Sequence, residues 1–238
     1  MPCRFAKPTA VESSTTVNEP SLTINELFYS IQGESSYAGL PCFFIRLSGC
    51  NLRCRYCDSG YSWKEPGEIL AVREIVDRAA QYPGVITEIT GGEPLLQEGV
   101  HELISRLETN HLVLLETNGS CSLEGLSPRT VAIIDVKCPG SGMEGRFHPD
   151  NLELLLRRKQ LGARDEIKFV LGDEEDFLWA KNFIHDNKVD QLGSILFSPI
   201  RATFPPEKLA GLILKHRLAV RLQLQLHTII WPRITRGV

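Results

Sequence analysis

No apolar stretch in this chain of 238 residues approaches the ~18 residues that cross a bilayer as a helix, so no membrane span is expected. A basic excess is missing too: 26 Lys and Arg stand against 29 Asp and Glu, a formal net charge of −3. That balance does not neutralise a phosphate backbone, which argues against direct nucleic-acid binding. The opening residues, MPCRFAKPTAVESSTTVNEP, lack the apolar centre of a secretory signal. They are also short of periodic apolar positions, so residues 1–20 are expected to form a poorly ordered extension. No internal repeat is visible. Nor is there an even cysteine framework: the chain has seven cysteines, and three crowd into one short segment. Because cytosolic thiols are kept reduced, such crowding favours metal over disulfides, and a cytoplasmic address follows.

What is present is ordinary globular material, 42% apolar and 23% charged, able to bury a real core. Short β-rich runs alternate with amphipathic helices, the mark of parallel α/β architecture. Strands are expected over Ile24–Ile31, Cys42–Leu47, Val85–Thr90, Leu112–Glu116, Val131–Val136, Glu166–Leu171, Ser194–Phe197 and Val220–Leu226. Apolar residues at helical spacing mark intervening helices: Ile69, Val72, Ile75, Val76 and Ala79; Val100, Leu103, Ile104 and Leu107; Phe177, Ala180 and Ile184; Leu209, Leu212 and Ile213. These stripes read as core. About six such units are too few for a closed eight-fold barrel and predict a partial barrel or open curved sheet. Chemistry in such folds gathers where strands end.

The segment SGCNLRCRYCDS follows the CFFIRL strand and spaces its thiols as Cys50-x3-Cys54-x2-Cys57. Thiolates are soft ligands for iron–sulfur clusters and zinc. Three of them leave one iron of a four-iron cluster open, and an open metal position is where a substrate can coordinate. A structural zinc site wants a fourth ligand, and none lies nearby. Cys3, Cys42, Cys121 and Cys138 are scattered and read as small buried hydrophobes or bystanders.

Other strand ends carry polar groups. Thr90-Gly91-Gly92-Glu93-Pro94 combines close backbone approach with a carboxylate suited to an ammonium group. Glu116-Thr117-Asn118-Gly119 and Asp135-Val136-Lys137-Cys138-Pro139-Gly140-Ser141 follow, each equally readable as a turn or helix cap. Lys137 could pair with a carboxylate. Ser198 ends a later strand.

The cysteine spacing, with Tyr56 before the third thiol and GGEP one β/α unit later, resembles the signature of the radical S-adenosylmethionine superfamily. The resemblance implies an α/β fold: a partial (β/α)6-type barrel, modified and with an open curved parallel sheet, in a single catalytic domain over residues 21–238. It implies a [4Fe-4S] cluster on Cys50, Cys54 and Cys57. It also implies S-adenosyl-L-methionine bound among Tyr56, Thr90, Gly91, Gly92, Glu93, Asn118, Lys137, Ser141 and Ser198.

The segments Phe28–Ser35 (FYSIQGES), Cys57–Trp63 (CDSGYSW) and Leu224–Trp231 (LQLHTIIW) further resemble the family of 7-carboxy-7-deazaguanine synthases, from about Leu22 to the C-terminus. That resemblance implies a radical lyase that contracts the ring of 6-carboxy-5,6,7,8-tetrahydropterin with loss of ammonia, feeding queuosine and other 7-deazapurines. S-adenosylmethionine is regenerated in such a reaction. Mg²⁺, a homodimer and a flavodoxin-type reductant are implied as well. Substrate contacts fall on Gln32, Gly33, Glu34, Arg46, Gly91 and His227. The Mg²⁺ position falls on Ser59, where the family usually has Thr; serine keeps the hydroxyl and loses the methyl. The residues suit these tasks: Gln32 and Glu34 complement the donors and acceptors of a pterin edge, and the fork of Arg46 suits a carboxylate. Two other readings stay open, a glycyl-radical enzyme activating protein, which shares C-x3-C-x2-C, and a zinc-binding interaction module.

Overall fold

The computed structural model describes residues 19–238, and all structural statements below concern those residues. Strands β1 (Ser21–Ile31), β2 (Pro41–Leu47), β3 (Glu68–Ala71), β4 (Ile86–Gly91), β5 (Val113–Thr117), β6 (Val131–Asp135), β7 (Glu166–Leu171), β8 (Ser194–Pro199) and β9 (Arg221–Leu222) form one sheet. Their order is β3-β1-β2-β4-β5-β6-β7-β8-β9. The sheet is open, as the chain pattern implies. From β2 to β9 along this order the pairing is parallel. β1 pairs antiparallel with both β2 and β3; the short loop after β1 returns the chain alongside itself as β2, whereas parallel pairing needs a crossover.

The crossovers are α2 (Val72–Ala79), α3 (Val100–Leu107), α4 (Asn151–Gln160), α5 (Glu174–Asp186) and α6 (Pro206–His216); two shorter helices, α1 (Tyr61–Lys64) and α7 (Leu226–Ile230), flank the functional site. None is long and apolar enough to cross a membrane. Alternate strand residues such as Ile45, Ile89, Leu115, Ile134, Phe169 and Phe197 point to the helical layer, where they pack with Ile75, Leu103, Phe177 and Leu209 in one core. Burying each such side chain contributes about 1.5–3 kcal/mol. The other face is divided along the strand direction. At the N-terminal ends Cys42, Phe44, Ile86, Leu114, Val131 and Ile133 make a small apolar cluster. Towards the C-terminal ends the same face turns polar.

Several expectations need correction. Ile69 does not share the face of α2; it lies in β3, an antiparallel edge strand, and is exposed. Its neighbours 68–71 pair with Ser21–Ile24, which outweighs the helical spacing. The strand expected over Val220–Leu226 shrinks to Arg221–Leu222. Beyond it the chain leaves the sheet, because Gln223 bonds the Ser35 amide and Leu226 N–H donates to the Gly33 carbonyl. Helix α4 was not foreseen; its Arg158 forms a buried pair with Asp165 and donates to the Leu126 and Thr130 carbonyls. Breaking such a pair costs about 3–5 kcal/mol. The extension expected over residues 1–20 falls mostly outside the described residues. Its last two members are anchored: Glu19 pairs with Arg106, and the Pro20 carbonyl accepts from Val72 N–H.

Candidate active site

The cysteine loop leaves β2 at Leu47 and is pinned at several points. Gly49 N–H donates to the Ser62 carbonyl, and Glu93 N–H donates to the Gly49 carbonyl. Arg53 donates to the Cys50 carbonyl at 2.7 Å and stacks over Trp63 at 4.0 Å. Tyr56 donates its hydroxyl to the Val170 carbonyl. Gly91 has φ +130°, and a Cβ on Gly92 would overlap the Gly49 backbone. Only glycine lets the end of β4 lie against the cysteine loop. The two motifs expected to cooperate are therefore in contact.

Cys50, Cys54 and Cys57 open into one cavity of about 520 Å³ at the C-terminal ends of the strands. The Leu52 amide and the Asn118 side-chain amide both point donors at the Cys50 sulfur, an arrangement that suits a thiolate ligand. The three thiols fit a cluster with one open iron; burial raises the Cys54 thiol, and metal binding would counter that.

Of the residues expected at the cofactor and substrate, Gly33, Glu34, Arg46, Tyr56, Ser59, Thr90, Gly91, Gly92, Asn118, Lys137 and His227 line this cavity. Arg46 bonds Glu26 through Nε at 2.7 Å, leaving its terminal nitrogens for a ligand. Lys137 pairs with Asp135 at 2.7 Å; burial would lower its pKa, but that carboxylate holds it up and the ammonium stays charged. His227 sits on α7, just beyond the strand expected over Val220–Leu226, with its ring against Gly33.

Four expected residues lie elsewhere. Glu93 is fully buried, and its carboxylate accepts from Leu95 N–H, Thr117 Oγ and Asn118 N–H. It braces the ends of β4 and β5 together. Ser141 is buried in a turn, donating to the Cys138 carbonyl at 2.6 Å. Ser198 lies beneath the cavity wall without a hydrogen-bond partner. Gln32 is buried too: its Oε1 accepts from Glu34 N–H, and its Nε2 donates to Glu88.

Residues that the sequence reading did not assign complete the wall. Glu88 on β4, Glu116 on β5, Asp135 on β6 and Lys168 on β7 line the cavity side by side. Lys168 bonds Glu116 and lies 3.0 Å from Glu34. The signal was available as charged residues inside apolar runs, ITEIT, LLET, IIDVK and EIKFVL, at positions a fully buried strand would fill with hydrocarbon. At the mouth, one ligand atom each from Glu34, Asp58 and His227 can converge within 4.8 Å, a spacing that could hold a metal ion. Gln225 bridges the two carboxylates. Oxygen-rich and next to Ser59, this corner fits a hard divalent cation such as Mg²⁺.

A strand-end thiol loop, a glycine-lined backbone against it and a polar cavity define a radical S-adenosylmethionine enzyme, and residues 44–133 match the model of the radical SAM superfamily. The chain is 45% identical over 221 residues to the 7-carboxy-7-deazaguanine synthase of Chlorobaculum tepidum, covering 92% of this chain and 99% of that one. It is 41% identical to the synthase of the same name from Koribacter versatilis, covering 91% and 100%. Among solved structures, QueE from Escherichia coli superimposes with a TM-score of 0.69 at 23% identity over 86% of this chain and 94% of that one, a likeness of fold. The chain belongs to the 7-carboxy-7-deazaguanine synthase family. Those relatives bear the synthase name, so the activating-enzyme and zinc-module readings are set aside.

Proposed function

We propose that this chain is a radical S-adenosylmethionine lyase that converts 6-carboxy-5,6,7,8-tetrahydropterin to 7-carboxy-7-deazaguanine with loss of ammonia, in the route to queuosine and other 7-deazapurines. The observation that carries the reading is the meeting of three cysteine thiols and a charged, largely buried strand-end array in one cavity, in a chain of this family. Cys50, Cys54 and Cys57 hold a [4Fe-4S] cluster, which with bound S-adenosylmethionine supplies a deoxyadenosyl radical.

The protein positions and protects. Gly91 and Gly92 bare their backbone to the cofactor, and Tyr56, Thr90, Asn118 and Lys137 flank it. Lys137 suits its carboxylate. Arg46 takes the substrate carboxylate, while Glu34 and His227 hold the pterin near Mg²⁺ at Ser59 and Asp58. Trp231 and Ile234 line the cavity with apolar surface, which helps keep bulk water from a reactive carbon centre.

Residues 21–238 act as one catalytic domain, in the cytoplasm, as a homodimer. The electron comes from a flavodoxin-type carrier; Arg53, Arg55 and Lys64, all exposed around the cysteine loop, suit an acidic partner. Anaerobically reconstituted protein should convert the tetrahydropterin to the deazapurine without net consumption of S-adenosylmethionine. Deoxyadenosine formed in proportion to spent cofactor, with no deazapurine, would reject the reading.

A further inference from the structure

Glu88 stands where the polar wall meets the apolar floor. It is 4% exposed, lines the cavity, and sits on β4 two residues before Thr90, level with Phe44 of β2. Two residues along a strand span about 7 Å, so Glu88 lies one side-chain step deeper than the level of Arg46 and Thr90. A ligand that reaches Arg46 with a carboxylate at one end of a fused bicyclic ring brings its other end towards Glu88.

The carboxyl is locked in place. Gln32 has its own amide orientation fixed by Glu34 N–H, and it donates Nε2 to one oxygen of Glu88. Gln32 engages Oε2 and leaves the other oxygen, Oε1, to take a partner from a ligand in the cavity. Burial, then the nearby Glu116 and Glu34 carboxylates, push the Glu88 carboxyl well above its ordinary range, against the opposing pull of Gln32 and Lys168. Cys42, its other titratable neighbour, is a neutral thiol there, pushed up chiefly by burial. These influences favour the protonated carboxyl, which presents one O–H donor and one acceptor.

We propose that Glu88 is a specificity-determining residue that reads the 2-amino-pyrimidine edge of the substrate, accepting from the 2-amino group and donating to the adjacent ring nitrogen, with Gln32 as its positioning residue. This deepens the synthase reading and rests on it. No covalent step is involved. The donor–acceptor pair matches an aminopyrimidine without placing a new charge in the cavity floor.

The test is a cycle of residue against ligand on the anaerobic holoenzyme, reading dissociation constants for 6-carboxypterin and its counterpart with a 2-methyl in place of the 2-amino group. Wild type should prefer the amino ligand. Glu88→Leu should weaken the amino ligand about 10- to 100-fold while changing the methyl ligand little, erasing the preference. Glu88→Gln, permanently neutral and still donor and acceptor, should retain the preference. If the leucine variant does not fold, Glu88→Met serves the same arm. An unchanged preference in Leu or Met, or its loss in Gln, overturns the inference. Failure of wild type to turn over the tetrahydropterin instead overturns the synthase reading.

Discussion

Lys168 on β7 donates its ammonium to Glu116 on β5, across the intervening β6 and inside the cavity, with its own side chain almost fully buried. Burial would lower the lysine's pKa, but Glu116 and Glu34 outweigh it and keep the charge in place. Lys168→Met leaves two carboxylates facing each other without a counter-charge. Removing one partner of a buried pair should cost about 3 kcal/mol, a fall in Tm of about 6–12 °C for a chain of this length. Turnover should be lost at temperatures where the variant is still folded. Differential scanning calorimetry beside anaerobic assays checks both, and an unchanged Tm would show that the pair carries no net stability.

Acid should reveal the same pair. Burial alone would raise the Glu116 carboxyl, yet Lys168 prevails and brings it from 4.5 to about 2. A group depressed in the folded state stabilises above its unfolded pKa, and that contribution is lost as pH falls through the folded value. Wild type should therefore lose stability as pH drops from about 4.5 towards 2. In Lys168→Met that part of the slope should flatten, as read from urea midpoints at stepped pH.

The cluster assignment separates cysteines that otherwise look alike. Cys54→Ser should give protein without the broad absorption near roughly 400 nm of an iron–sulfur centre and without turnover. Cys121→Ser should keep full iron, although Cys121 lies on the loop after β5 beside Asn118. Iron per chain after oxygen-free reconstitution decides the matter; iron retained by Cys54→Ser would break the ligand set.

Ser59→Ala should leave iron content unchanged and raise the Mg²⁺ concentration for half-maximal rate by about tenfold, the usual scale for loss of a supporting group. Asp58→Asn should act in the same direction. Titrating Mg²⁺ into metal-stripped holoenzyme tests this, and a requirement unchanged in both variants would place the ion elsewhere.

The thiol loop, the GGEP strand end and the open parallel sheet could all be read along the chain, because each is a local pattern. The wall opposite could be read only one charge at a time, not as a wall. Glu88, Glu116 and Lys168 each occur singly within an apolar run, and only parallel stacking of β4, β5 and β7 around β6 brings them together. The burial of Glu93 was hidden for the complementary reason. Its motif suggests an exposed carboxylate, whereas Thr117 and Asn118, some two dozen residues away, turn it inward. Likewise the strand expected over Val220–Leu226 stops at Leu222, and the Leu226–Gly33 hydrogen bond holds the chain off the sheet.

That bond from Leu226 to Gly33 joins segments almost two hundred positions apart, and residues after it line the cavity. During synthesis the sheet can order strand by strand as it emerges, while the pocket waits for the segment that follows Leu226. Chains that have not yet made that segment would accordingly carry a more open thiol loop.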